Sequence, residues 1–187
     1  MFNLSSSFQE QGFGAWEQGL EGLPPSKVRI RETEPTKPDG RWMQWMQASC
    51  ESTYIQSVEY NLSTIEQQLV LLAEIADYPV GFCFALAGRT LSDPLFIQLV
   101  AVVPLARRRG VGLALLSAAA GHEPHRSIAM ATLDDNVPAR NLNERFAKSI
   151  GGNLHRVPIR RYRQTDLGFA QGERHHPWIV DRPQQAE

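Results

Sequence analysis

The 187-residue chain has no apolar run approaching the roughly 20 residues that a helix needs to cross a bilayer, so no membrane span is expected. Its first residues, MFNLSSSFQEQGF, lack both a basic start and a continuous apolar stretch, so a secretory signal is not expected either. There are only two cysteines, Cys50 and Cys83. They are too few for a disulfide framework, and neither has Cys or His neighbours at metal-ligand spacing. A reducing, cytoplasmic compartment and no metal follow as expectations. Internal repeats and low-complexity tracts are absent from the sequence. What is present is a globular composition, 42 % hydrophobic and 21 % charged, on a chain long enough to bury a core as one domain.

The net charge of −1 conceals an asymmetry. Residues 1–93 hold 12 acids and 6 bases, a balance of −6, whereas residues 94–187 hold 8 acids and 13 bases, a balance of +5. No acid lies between Asp93 and Glu123, nor between Glu144 and Asp166. The second half suits an anionic ligand, against the alternative of chance clustering on a solvated surface.

Residues 1–26 are polar and interrupted by Gly12, Gly14, Gly19 and Gly22, which predicts an N-terminal arm with at most a helical turn near residues 15–18. The domain proper is expected over 27–187. Residues 28–35 alternate as a first strand. Trp42, Met43, Trp45, Met46 and Cys50 recur at helical spacing, and the stripe reads as core within one helix running through residues 41–58. Strands follow at 68–77 and 80–88, turning at Tyr78-Pro79, and a strand apolar on both faces at 95–104 is central. A buried helix is predicted over 110–120, a strand over 127–133, and a helix over 136–150 capped by Asn136 and ended by Gly151-Gly152. Two closing strands are placed near 156–163 and 178–180. The order is that of an α/β domain on a central sheet.

The strongest local signal is VVPLARRRGVGLALL, residues 102–116. A buried strand gives way to three arginines and two glycines, and then a helix begins. A helix start exposes backbone N–H groups and carries about half a positive charge, and glycines let a phosphate approach closely. The segment reads as a diphosphate cradle, with a plain basic turn as the alternative. Leu115 stands where a dinucleotide fold needs its third glycine, and no lysine follows the glycines as a nucleotide P-loop requires.

With Arg107, Gly110 and Gly112 in an Arg-x-x-Gly-x-Gly pattern behind Val100-Ala101-Val102, and with Asn136 and Ala139 opening the next helix, the sequence resembles the GNAT superfamily of N-acetyltransferases over roughly residues 28–165. That resemblance implies a mixed central sheet with helices on both faces and acetyl-CoA as co-substrate. It assigns CoA binding to Val100, Val102, Val103, Arg107, Arg108, Arg109, Gly110, Val111, Gly112, Leu113, Asn136 and Asn143. It also implies direct transfer of an acetyl group to a primary amine, with the backbone N–H at Val102 holding the carbonyl oxygen. The family often has a Glu on the central strand for the amine proton; Gln98 stands there and can only orient a water. Glu74 is a weaker candidate and reads better as a salt bridge. The family's Tyr on the second CoA-side helix, which protonates the departing thiolate, is missing: position 143 is Asn, and counting back from Gly151 reaches Ala147 beside Phe146.

Two other readings stand beside this one. A second arginine cluster, Arg156, Arg160, Arg161 and Arg163 around Tyr162, would suit nucleic acid, the 3′-phosphate of CoA, solvent or an acidic partner. No nucleic-acid motif accompanies it, and the overall charge is −1, so nucleic acid is not expected. The missing Tyr and Glu also allow an acyl-CoA-binding domain without turnover. His175 and His176 are adjacent and would point to opposite faces of a strand, which argues against a metal pair. The acidic first half suggests a cationic amine acceptor, and the resemblance raises a homodimer through residues 155–180.

Overall fold

The computed structural model describes residues 12–50, 53–169 and 174–183. The elements are α1 (Phe13–Glu21), β1 (Arg29–Glu32), α2 (Lys37–Ser49), α3 (Val58–Gln67), β2 (Leu69–Ile75), β3 (Tyr78–Ala87), β4 (Leu95–Val102), α4 (Val111–His122), β5 (Ile128–Leu133), α5 (Val137–Ser149), β6 (Asn153–Arg156) and β7 (His175–Asp181). The strands form one seven-stranded sheet in the order β1-β2-β3-β4-β5-β7-β6. Every neighbouring pair is antiparallel except β4 and β5.

A parallel pair needs a crossover, and α4 supplies it. Right-handed crossovers moving in one direction across the sheet put their helices on one face, and α4 and α5 share a face. There Gly112 lies so close to α5 that an added Cβ would sit 2.9 Å from Leu142 Cδ2. Val111 and Leu115 press on Gly81 of β3 from the same side. α2 also packs on β3 and β4, from the opposite face, with α3 beside it. The main core holds Met43, Met46, Leu72, Phe82, Leu95, Leu115, Ile128 and Phe146, all buried. A smaller cluster on the α2 face gathers Phe96 and Ala129 of the sheet under Leu167 and Phe169.

Four local expectations change. The segment expected as an arm holds a nine-residue helix whose Trp16, Leu20 and the following Leu23 enter the main core. Their i, i+4, i+7 spacing outweighs the glycine cost, and Gly19 is what allows α1 to approach Tyr78 closely. Trp16 Nε1 donates to Pro79 O at 3.1 Å. The hairpin turns at Ala76 and Asp77, both with positive φ (49° and 66°), rather than at Tyr78-Pro79. A two-residue turn must match the right-handed twist of its strands, which demands that left-handed pair.

The stripe expected as one helix breaks after Ser49, and a separate α3 begins at Ser57, whose side chain caps Tyr60 N. α3 docks through amides as well as the apolar Val58, Leu62 and Ile65: Gln47 Nε2 donates to Asn61 Oδ1, and Asn61 Nδ2 to Gly40 O, both at 3.0 Å. Finally, β6 lies at Asn153–Arg156, while residues 159–161 form a 3-10 turn. Asn136 caps α5 as expected, accepting from Ala139 N at 3.1 Å. After the helix, Gly152 N donates to Ala147 O at 2.8 Å, with Gly151 at φ 66°.

Candidate acyl-CoA site

The site begins where the central sheet comes apart. β4 and β5 pair only over Leu95↔Ile128, Phe96↔Ala129 and Ile97↔Met130. Beyond that, β4 continues with β3 alone as far as Val102, and β5 continues with β7. The parting coincides with a bulge: Ala85 opposes Ile97 and Phe84 opposes Leu99, so Gln98 is the extra residue on β4. Bulges bend a strand and end its pairing. In the resulting gap β4 has backbone groups that no strand partners, one of which, Val102 O, accepts from Arg107 Nε at 3.2 Å. Val103 N–H bonds Val80 O on β3 at 3.0 Å. Successive amides alternate in direction, so Val102 and Val100 turn theirs toward the gap.

At the end of β4 the chain makes a 3-10 turn (Pro104–Ala106) and then runs through Arg107–Gly110 into α4. Arg108 (φ 62°) and Gly110 (φ 81°) both take the left-handed conformation. For Arg108 this stores strain of about 1 kcal/mol. For Gly110 it is free, and an added Cβ would meet nothing within 4 Å, so the space above it is open. The first helical bond of α4 is Ala114 N to Gly110 O, so the amides of Val111, Gly112 and Leu113 have no intrahelical acceptor. With the dipole of this 12-residue helix behind them, they form an anion-binding start.

An open groove of about 1290 Å3 joins these parts. It is lined by Val100–Val102, Pro104–Arg108, Gly110–Leu113, Asn136, Pro138, Ala139, Leu142 and Arg145, with Cys50 from the end of α2. Val100, Val102, Arg107, Arg108, Gly110, Val111, Gly112, Leu113 and Asn136, all expected from the sequence, therefore meet on one surface. Three expected residues do not line it. Val103 is buried and spends its N–H on β3. Arg109 turns away to donate to Leu23 O and Pro24 O at 3.2 and 3.0 Å, tying the loop to the segment after α1. Asn143 is buried within α5. Gly112 serves the close contact of α4 with α5 as much as any ligand.

Arg145 and Cys50 escaped sequence reasoning. Arg145 lies nine residues past the Asn136 cap, on the helical face shared with Leu142, and that spacing was readable. Cys50 reaches the groove only because α2 ends there. Burial pushes its thiol up, with the Arg107 guanidinium acting against that. Burial alone pushes the Cys83 thiol to about 12, which makes it a core residue.

Gln98 has a definite task. Its amide nitrogen donates to Thr165 O and Asp166 O at 3.1 and 3.2 Å, fastening the loop between β6 and β7 across the bulge. Glu74 is paired to Arg29 and Arg31 and lies away from the groove. Phe146 and Ala147 are buried and bring no hydroxyl. Among the described residues no group of three His, Cys, Asp or Glu side chains could hold a metal, and no helix is long and apolar enough to cross a membrane.

A parallel strand pair that splays open beside an amide-lined helix start, with a long groove joining the two, defines the class of α/β fold to which the chain belongs. The model of the acetyltransferase (GNAT) family matches residues 39–147. The chain belongs to that family, and its fold is that of an acetyltransferase. No curated protein sequence matches it.

Among solved structures, it is similar to the diaminobutyrate acetyltransferase of Paenibacillus lautus in complex with L-2,4-diaminobutyric acid and coenzyme A. The identity is 18% and the TM-score 0.64, covering 84% of this chain and 96% of that one. A Salmonella typhimurium acetyltransferase with acetyl-CoA is 16% identical with a TM-score of 0.59, covering 86% and 96%. A Bacillus subtilis acetyltransferase in complex with CoA is 16% identical with a TM-score of 0.57, covering 83% and 99%.

Proposed function

We propose that the protein transfers an acetyl group from acetyl-CoA to an amine. The observation that carries this is the gap between β4 and β5 running directly into the amide-lined start of α4. The groove residues fit the co-substrate: open space lies over Gly110 where a phosphate would sit, and Arg107, Arg108 and Arg145 line the same surface. Its solved relatives in fold hold CoA or acetyl-CoA. When bound, acetyl-CoA supplies an activated thioester.

The chain's own residues divide the work. The amides of Val111, Gly112 and Leu113 and the three arginines hold the diphosphate and the 3′-phosphate. The outward N–H of Val102 or Val100 donates to the thioester carbonyl and stabilises charge that builds on it, an effect worth several kcal/mol for a preorganised donor. Leu105, Ala106 and Leu142 exclude water from the arm of the ligand. The amine must arrive neutral, and with Glu74 paired elsewhere its proton leaves through solvent at the mouth of the gap.

One point favours a second reading, acyl-CoA binding without turnover: at both positions where the resemblance would put a thiolate-protonating Tyr, Asn143 and Ala147 beside Phe146, that hydroxyl is missing. Thermal unfolding with acetyl-CoA, ATP or NAD, followed by thiol release across an amine panel, separates the cases. At about 100 times Kd a ligand adds roughly 2.7 kcal/mol, a rise of about 5–11 °C for a domain of this size. A rise specific to acetyl-CoA with thiol release supports transfer, a rise without turnover supports the second reading, and no rise overturns both.

A further inference from the structure

We infer that the acceptor is a small amine that also carries an anion, a carboxylate or a phosphate, held by Arg160, Arg161 and Arg163. The inference rests on the acetyl-transfer reading and concerns the other mouth of the same gap. CoA is expected on the α4 and α5 side. On the opposite face α2 and α3 cover β2 to β4, and the loop between β6 and β7 covers β4 and β5. That loop is fastened to Gln98, the bulge residue at which β4 parts from β5, and Cys50 from the end of α2 lines the groove farther along β4.

Residues 162–169 of that loop are held in place by the sheet beneath them. Tyr162 stands edge-on to Phe96, with ring centroids 5.3 Å apart. Leu167 and Phe169 are buried against Phe96 and Ala129. Gly168 lies so close to Gln98 that an added Cβ would be 2.8 Å from its carbonyl oxygen.

On this fixed frame Arg160, Arg161 and Arg163 are exposed. None of the three meets a carboxylate at ion-pair distance among the described residues, and no acid precedes Asp166 in the loop. Arg29, Arg31, Arg126 and Arg156 pair with acids, and Arg109 and Arg182 hold carbonyls; Arg160, Arg161 and Arg163 differ from other unpaired arginines, such as Arg41 and Arg89, in standing together on one loop. Arg161 lies over the Tyr162 ring at 5.8 Å, an arrangement that orients a guanidinium and leaves its N–H edge available for a planar anion.

Three of the twelve acids of the first half, which suggested a cationic acceptor, are spent internally: Asp39, Glu74 and Asp77 face Arg29 and Arg31. In the reaction the neutral amine forms the C–N bond of the amide, the C–S bond breaks, and the amine's proton ends on the released thiol through water.

The test measures thiol release from acetyl-CoA with matched amines: phosphoethanolamine against ethanolamine, glutamate against its diamide, and spermidine as the cationic member. At least one anionic member is expected to exceed its neutral partner tenfold or more in kcat/KM, with the advantage falling as salt rises. The phosphate and carboxylate pairs distinguish the two sources of the anion. In a folded Arg160→Gln, Arg161→Gln, Arg163→Gln variant that ratio should collapse toward one. Preference for spermidine or a neutral amine, a ratio untouched by the substitutions, a salt-independent ratio, or acetyl-CoA binding with no turnover of any anionic amine would each overturn the inference. Failure of acetyl-CoA to bind at all would instead overturn the acetyl-transfer reading, and this inference with it.

Discussion

Gly110→Glu separates the fold of the phosphate loop from its chemistry. Gly110 sits at φ 81° and ψ 0°, capping α4. Any L-residue there costs about 1 kcal/mol of left-handed strain, which lowers the melting temperature by about 2–4 °C for a domain of this size. An added Cβ meets no atom within 4 Å, so no steric penalty is added and the variant should fold. The carboxylate then stands in front of the helix start where the diphosphate is expected. At roughly 6 Å and an effective dielectric constant of about 20, each like-charge pair costs about 3 kcal/mol. One pair alone lowers CoA affinity about 100-fold.

Gly110→Ala carries the same strain without the charge, and its affinity loss should stay below about tenfold. Calorimetric titration of CoA into both variants, beside melting curves, checks this, and the gap between them should narrow at high salt. A Gly110→Glu protein that melts a few degrees low yet binds CoA within threefold of wild type would refute the phosphate assignment.

Arg31→Met should cost about 3 kcal/mol by urea unfolding, because it leaves Asp39 and Glu74, each with a 6 % exposed side chain, without their shared partner. Although burial alone would raise it, the Arg31 guanidinium and the Glu34 amide hold the Asp39 carboxyl below its ordinary value. Its contribution is therefore complete above an unfolded value of about 3.9 and is lost as pH falls through the lower folded one. Arg31→Met should shrink that acid-limb loss, and an unchanged pH profile would contradict the pairing. Trp16→Ala should cost about 3–5 kcal/mol, since Trp16 is 4 % exposed and packs on Trp45. A loss below about 1 kcal/mol would make α1 a peripheral arm after all.

What could be read from the sequence followed strong local chemistry. The strand, arginine and glycine run before α4, the Asn136 cap and the double glycine after α5 each declare themselves within a few residues. Apolar periodicity found β2, β3, β4 and β5 for the same reason. It failed at α3, whose apolar stripe Val58, Leu62 and Ile65 is short and only half-buried while its fully buried residues are the polar Asn61 and Thr64. It failed at α1 in the opposite way: glycines argued against a helix that only tertiary burial stabilises.

In the site, the cradle was legible, but the partners of Arg109 were not, since Leu23 and Pro24 are separated from it by about 86 residues. Nor was Cys50, which reaches the groove through the end of α2. Gln98 was singled out for its position, while its bonds to Thr165 and Asp166 depend on a loop that carries no periodic signal.

The grip of Arg109 on Leu23 and Pro24 makes α1 and the segment after it mechanically part of the loop before α4. Coupling of this kind is reciprocal. A ligand that orders the loop from residue 107 to 112 must also slow the opening of α1, and whatever loosens α1 must weaken the ligand's hold. Hydrogen exchange at Trp16–Leu20 should therefore report occupancy of a groove those residues never line, and a bulky fusion at the N-terminus would be felt as lost affinity at the far side of the sheet.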